Sequence, residues 1–320
     1  MTRALAVSFV LVAACGAPTG LLGLQRDARA LRPLLTTAPA RQLVDAVPSL
    51  PRIAPRTIWH DAHKTVYYTD GEAAALPAAE RKKLIAQRVD EEFFYTTGYG
   101  SPLAYARPFE LAGVEVAHRR ILDFGFGGIG HLLLLASLGA DAVGVDIDPM
   151  LGALYRAPPA AAGAGRVRTL IGRFPAEPAL VEKVGDGYDF VISKNVLKRG
   201  YIHPAEKVPE RLQISLGVDD ESFVRTLYAL LKPGGRAMIY NLSPAPAPPG
   251  KPYIPWADGR SPFPRALFES VGFRVLAFEV DDTPAARGMG HALRWDLPPD
   301  PTDLAHDLFA QYTLVERPAQ

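Results

Sequence analysis

A single cysteine, Cys15, stands in the 320 residues, so no disulfide closes within the chain. Charge of one sign is missing too: 35 Lys and Arg face 34 Asp and Glu, the net charge is +1, and no block of like charge occurs. Binding a phosphate backbone needs such a block, so nothing here points to a nucleic-acid partner. The apolar run Ala4–Ala14 is too short to cross a bilayer in the ordinary way. No internal repeat, metal-ligand constellation or nucleophile triad is visible. His60-Asp61-Ala62-His63 brings two histidines together, but no further ligands stand nearby in sequence, and the segment reads as an exposed polar turn inside a small hairpin. What is present is ample: 48% of the residues are apolar, enough for one large domain or a domain with an extension.

The chain is organised around Arg119–Pro149, RRILDFGFGGIGHLLLLASLGADAVGVDIDP. Ile121–Phe124 is a short apolar run that stops at glycines, as a buried parallel strand does. Gly125, Gly127, Gly128 and Gly130 follow, then an apolar stretch suited to a helix packed on a sheet. Ala142–Val145 is a second strand, ending on Asp146. Glycines let backbone approach a ligand closely, a helix N-terminus offers free N–H groups, and an acid at the second strand tip accepts ribose hydroxyls. An adenosine-containing cofactor fits this unit.

Two cofactors compete for it. Gly125-x-Gly127-x-x-Gly130 matches the dinucleotide fingerprint, with Asp146 at about the expected ~20-residue distance, which keeps a nicotinamide-dependent oxidoreductase open. Asp123, two residues before the first glycine, argues the other way, because a carboxylate repels a pyrophosphate. The methionyl ammonium of S-adenosylmethionine suits an acid there. Asp123-Phe124-Gly125-Phe126-Gly127-Gly128 resembles the first motif of class I S-adenosylmethionine-dependent methyltransferases, with one departure: the usual third glycine falls at Ile129.

Two later segments carry the same resemblance. Gly187–Ser193, GYDFVIS, is similar to the family's fourth strand, where an aspartate precedes a buried apolar run. Leu231-Lys232-Pro233-Gly234-Gly235-Arg236, leading into Ala237–Tyr240, is similar to the turn before its fifth strand. A dehydrogenase has no reason to carry that turn. Val167–Ile171, Arg274–Val280 and Gln311–Glu316 supply the remaining strands, the last in the antiparallel position. The resemblance covers about residues 119–316. The family often places an acid after its third strand; here Gly172-Arg173-Phe174 stands, with Glu177 nearby.

The N-terminal third reads differently. Met1-Thr-Arg3 and Ala4–Ala14 lead to Val12-Ala13-Ala14-Cys15, which resembles the lipobox of bacterial lipoproteins. Leu21, Leu24, Ala28, Leu31 and Leu35 lie on one helical face, and Pro77–Tyr95 reads as another helix. Tyr95, Tyr99 and Tyr105 are candidates to line a cleft, since helices before the first strand often fold over the cofactor in this family.

The implied organisation is a signal segment at 1–14, a tether, hairpin and helical extension at 15–112, and a methyltransferase-like domain at 113–320. The implied fold is α/β, Rossmann-like: a seven-stranded, mostly parallel sheet with helices on both faces and an N-terminal helical extension. The implied activity is methyl transfer from S-adenosylmethionine to a small-molecule acceptor that no motif identifies. The implied cofactor residues are Asp123, Gly125, Phe126, Gly127, Gly128, Gly130, Asp146, Ile147, Arg173 and Phe174. Lys194 and Asn195, at the fourth strand's C-terminal end, line the methyl-transfer side, and His203 is the candidate base. The alternative is a non-catalytic exported lipoprotein using the fold as a binding module. A lipidated Cys15 places the chain on a membrane, at the periplasmic side or cell surface, whereas the cofactor is cytoplasmic, so a cytoplasmic location stays open. Nothing in the sequence speaks to oligomeric state.

Overall fold

The computed structural model describes residues 19–159, 163–298 and 301–319; the Cys15 motif lies outside them. Two sheets are present among these residues. The smaller holds β1 (Arg56–His60), β2 (Tyr67–Thr69) and β3 (Ile85–Val89) in the order β2-β1-β3, all antiparallel. The larger holds β4 (Arg120–Phe124), β5 (Asp141–Asp146), β6 (Arg166–Ile171), β7 (Tyr188–Lys194), β8 (Leu231–Ser243), β9 (Arg274–Asp281) and β10 (Phe309–Glu316). Its order is β6-β5-β4-β7-β8-β10-β9, with β10 antiparallel to both neighbours and the rest running one way. The expected Rossmann-like, mostly parallel seven-stranded sheet is the observed one. A dinucleotide-binding sheet ends on a sixth parallel strand; here the antiparallel β10 is inserted between β8 and β9.

Strand periodicity sorts side chains between two cores. Ile121, Ala142, Phe190, Ile192, Met238 and Tyr240 join the core on one face, and Leu122, Val143, Val191, Ala237 and Ile239 join that on the other. The second face is covered by helices Pro178–Val184, Asp220–Leu230 and Arg265–Val271, through residues such as Leu180, Phe223 and Phe268. The first is covered by helix Gly130–Ser137 and by the N-terminal segment. Helix Gly20–Leu31 buries Leu21, Leu24, Ala28 and Leu31 as its spacing requires, and Pro33 interrupts it before helix Ala38–Asp45. Helix Ala106–Ala112 lays Phe109 edge-on against Phe190, with centroids 5.3 Å apart. The N-terminal segment thus shares one core with the sheet.

The helix expected over Pro77–Tyr95 is not there. A short helix, Ala78–Arg81, gives way to β3, which pairs with β1 from Arg56↔Val89 to His60↔Ile85. The open edge of β1 recruits this segment, and ladder pairing overrides a helical pattern that has only short range to support it. His60 is likewise a buried strand residue, its ring against Tyr67.

Arg107 joins the first helical layer to the C-terminal excursion. Its guanidinium donates to Asp282 at 2.9 Å and to Glu110 at 2.7 Å, and Asp282 also accepts from the Tyr240 hydroxyl at 3.0 Å. Asp282 is buried. Arg107→Met leaves that carboxylate without its cation, and should lower unfolding free energy by about 3–5 kcal/mol in urea denaturation; a loss under about 1 kcal/mol would mean that water reaches Asp282 in the folded protein.

Candidate functional site

The glycine turn follows β4 at the C-terminal edge of the sheet, where an α/β fold leaves its crevice. Gly125 takes φ +77°, and a Cβ there would lie 2.4 Å from Val196 Cγ2. At Gly127 and Gly128 a Cβ would meet nothing within 4 Å. The turn is therefore packed at its first glycine and open at the next two. Gly130 starts the helix against the Phe94 carbonyl and Pro102. Phe126 points away from the opening, buried against Gly144 and Tyr155.

Asp146 ends β5 beside the open part of the turn. Its carboxylate accepts from Gly127 N at 3.0 Å, Ile147 N at 2.7 Å and Asp148 N at 3.0 Å. Burial raises its pKa, and the three N–H groups oppose that. Ile147 is 48% exposed, an apolar surface with nothing over it among the described residues. Phe174 is buried against Phe124, so its ring is packed into the core and not laid open to the crevice, and Arg173 N donates to Glu177 Oε1 at 2.7 Å.

Asp123 shares the face of Ile121 and so meets the N-terminal segment. It is fully buried. The Tyr105 hydroxyl donates to its Oδ2 at 2.6 Å, and His131 Nε2 lies 2.6 Å from the same oxygen, off the hydrogen-bonding direction. The Tyr105 and His131 rings stack at 3.8 Å, 3° from parallel. Burial and the Asp123 charge hold the Tyr105 phenol far above its ordinary pKa, so it stays a donor. Asp123 Oδ1 has no partner among the described residues.

Lys194 ends β7 on the same face. Its Nζ sits 5.4 Å from the Tyr105 centroid and 5.9 Å from that of Tyr99. Desolvation lowers its pKa to about 8, against the pull of Asp123. Asn195 follows with φ +67°, held by Tyr240 O on its N–H and by Leu242 N on its Oδ1. Lys198 is 3% exposed; its Nζ donates to Trp256 O at 3.0 Å and to Leu242 O at 2.5 Å. Burial, and then Lys194, lower its pKa to about 7. Asn195 and Lys198 line a cavity of about 320 Å³, with Tyr99, Tyr201 and Trp256 among its walls.

The structure thus brings together Asp123, Gly125, Gly127, Gly128, Asp146, Ile147, Lys194 and Asn195 along one edge. It puts His203 elsewhere: the imidazole faces Asp220 at 2.8 Å, half-exposed at the start of helix Asp220–Leu230. Of the three tyrosines, Tyr99 and Tyr105 reach the crevice, while Tyr95 is bound to Pro51 O. Lys198 and His131 were missed: Lys198 falls in no motif, and His131, directly after Gly130, is turned onto Asp123 only by the folded chain. Among the described residues no cluster of His, Cys, Asp and Glu suits a metal ion.

No protein-family model matches the chain, and no curated protein matches it in sequence. Solved structures do. The [4+2]-cyclase SpnF is 13% identical over 95% of this chain and 98% of its own, with a TM-score of 0.43. Geranyl diphosphate C-methyltransferase from Streptomyces coelicolor A3(2) is 15% identical over 67% and 81%, with a TM-score of 0.42. A phosphoethanolamine N-methyltransferase from Haemonchus contortus is 13% identical over 87% and 74%, with a TM-score of 0.36. At such identities the likeness is one of fold alone.

Lys194 and Lys198 bind fewer protons folded than unfolded between about pH 7 and 10.5, so unfolding free energy rises with pH across that window. Urea midpoints taken at about pH 7 and about pH 9.5 should climb more for wild type than for Lys198→Met. Equal climbs would mean that Lys198 keeps an ordinary pKa in the folded chain.

Proposed function

We propose that the chain is a class I S-adenosylmethionine-dependent methyltransferase acting on a small-molecule acceptor. The observation that carries this is the open backbone at Gly127 and Gly128, set between the Asp146 carboxylate and the exposed Ile147 at the edge of the parallel strands. Asp146 retains lone pairs for ribose hydroxyls, since three N–H donors do not saturate a carboxylate. Ile147 offers an apolar face to the base. Asp123 stands one step back from the cofactor side, sealed under Tyr105 and His131, and would act on a bound methionyl ammonium through its charge and through Tyr105. The cofactor brings an electrophilic methyl group on its sulfonium. Lys194, Asn195, Tyr99 and Tyr105 would border the transfer side, where orientation and exclusion of water do most of the work. With His203 turned to Asp220, no base is assigned.

A second reading draws on one contact. Val196 packs against Gly125 and closes the first glycine of the turn, which favours a binding module that holds no cofactor. Calorimetry separates the two. Full-length protein should bind S-adenosylhomocysteine with micromolar affinity, and Gly128→Leu, whose Cβ has nothing within 4 Å, should keep its melting temperature yet lose binding by about tenfold or more. A folded wild type that binds neither S-adenosylmethionine nor S-adenosylhomocysteine overturns the enzyme reading.

For the leader we propose membrane attachment through lipidated Cys15. Cys15→Ala should move the protein from the membrane fraction to the soluble one; a wild type already soluble overturns the attachment.

A further inference from the structure

Two lysines stand four positions apart at the C-terminal end of β7 and just after it, Lys198 buried and Lys194 partly buried, and neither has a carboxylate at ion-pair distance among the described residues. Lys194 has aromatic rings and the charge of Asp123 near it. Lys198 has two backbone carbonyls, which occupy two of its three protons. The two groups sense one another through the interior, Lys194 adding to the burial that makes Lys198 give up its proton easily. An unpaired buried ammonium is costly, and an anion arriving beside it offsets that cost.

The cavity shows where that partner comes from. Lys198 lines it, and Tyr99, Tyr201, Pro244, Trp256 and Leu308 give it a largely apolar, aromatic wall. Ser243 also lines it, with its buried Oγ turned against Gly259. About 320 Å³ holds a small ring system with a substituent. We propose that this cavity binds a small molecule bearing an oxyanion, carboxylate or phosphate, on an apolar or aromatic body, with Lys198 taking the oxyanion. Its role as the methyl acceptor rests on the methyltransferase reading; the binding itself does not.

The charges around Lys198 agree with this. Lys194 approaches from β7, and Tyr201 from helix Arg199–Ile202, with its centroid 5.6 Å from Lys198 Nζ. Tyr99, on the N-terminal side, keeps its proton because desolvation of its phenol raises its pKa, although the residue as a whole is 41% exposed. The acid at the mouth, Asp307, is exposed and already accepts from Ala245 N at 2.8 Å. No group facing Lys198 cancels its charge, and an arriving anion favours its protonated form. With a pKa near 7, Lys198 is mostly neutral at about pH 8, so binding there takes up a proton.

The test uses benzoate, phenyl phosphate and the neutral isostere benzamide, each titrated calorimetrically into full-length protein without cofactor. It is run at about pH 8 in two buffers of different ionisation enthalpy, neither carrying carboxylate or phosphate. One of the anions should bind about tenfold or more tightly than benzamide, and its enthalpy should depend on buffer in the sense of proton uptake. Whichever anion binds more tightly names the oxyanion. Lys198→Met should lose both the preference and the uptake; if that variant does not fold, the wild-type comparison decides alone. Benzamide binding as well as both anions, or anion binding without proton uptake, overturns the proposal. If S-adenosylhomocysteine fails to bind while an anion binds with uptake, the site stands and only its role as acceptor falls.

Discussion

The buried carboxylate of Asp123 is the constraint on which the rest depends. It lies at the end of the central strand, in a core otherwise made of aliphatic and aromatic side chains, where an unpaired charge is not tolerated. The chain meets that demand from two directions: Tyr105 from the N-terminal segment and His131 from the helix after the glycine turn. Their stacked rings close over the acid. This ties the N-terminal segment to the crevice edge as well as to the core. Loss of that segment would expose both an apolar sheet face and a charge.

Lys194 and Lys198 follow from the same geometry. Strand alternation turns Lys194 to the Asp123 face, so the ammonium lies under Tyr99 and Tyr105. The left-handed Asn195 then redirects the chain, and Lys198 reaches back to the carbonyls of Leu242 and Trp256, clamping the end of β8 to the Pro-rich loop. One carboxyl and two amino groups thus share a region bordered by aromatic rings. Such a region favours an anion on one side and polarises whatever sits between.

Much of the fold was legible because its elements carry long-range regularities in short-range form. Apolar runs closed by glycine at 121–125, an acid before 190–192, and the Lys-Pro-Gly-Gly turn all reflect a buried parallel sheet, which imposes the same pattern on every strand. The segment 77–95 was misread because β3 is an edge strand with one buried residue, Val89, and owes its form to pairing with β1. His203 was misread because proximity in sequence to a strand end says nothing of which way a loop carries an imidazole; Asp220, from another helix, holds it at the surface.

The sequence by itself determined the strand–turn–helix–strand unit at 119–149, the glycines that open it, and Asp146 at its tip, since each is a local consequence of residue type and spacing. Only the tertiary structure decided that Val196 closes Gly125, that Asp123 is sealed by Tyr105 and His131, and that Lys198 is buried in a cavity. These involve residues brought together from far apart in the chain. Their energies come from desolvation and charge, which are properties of an enclosed volume and are carried by no residue alone.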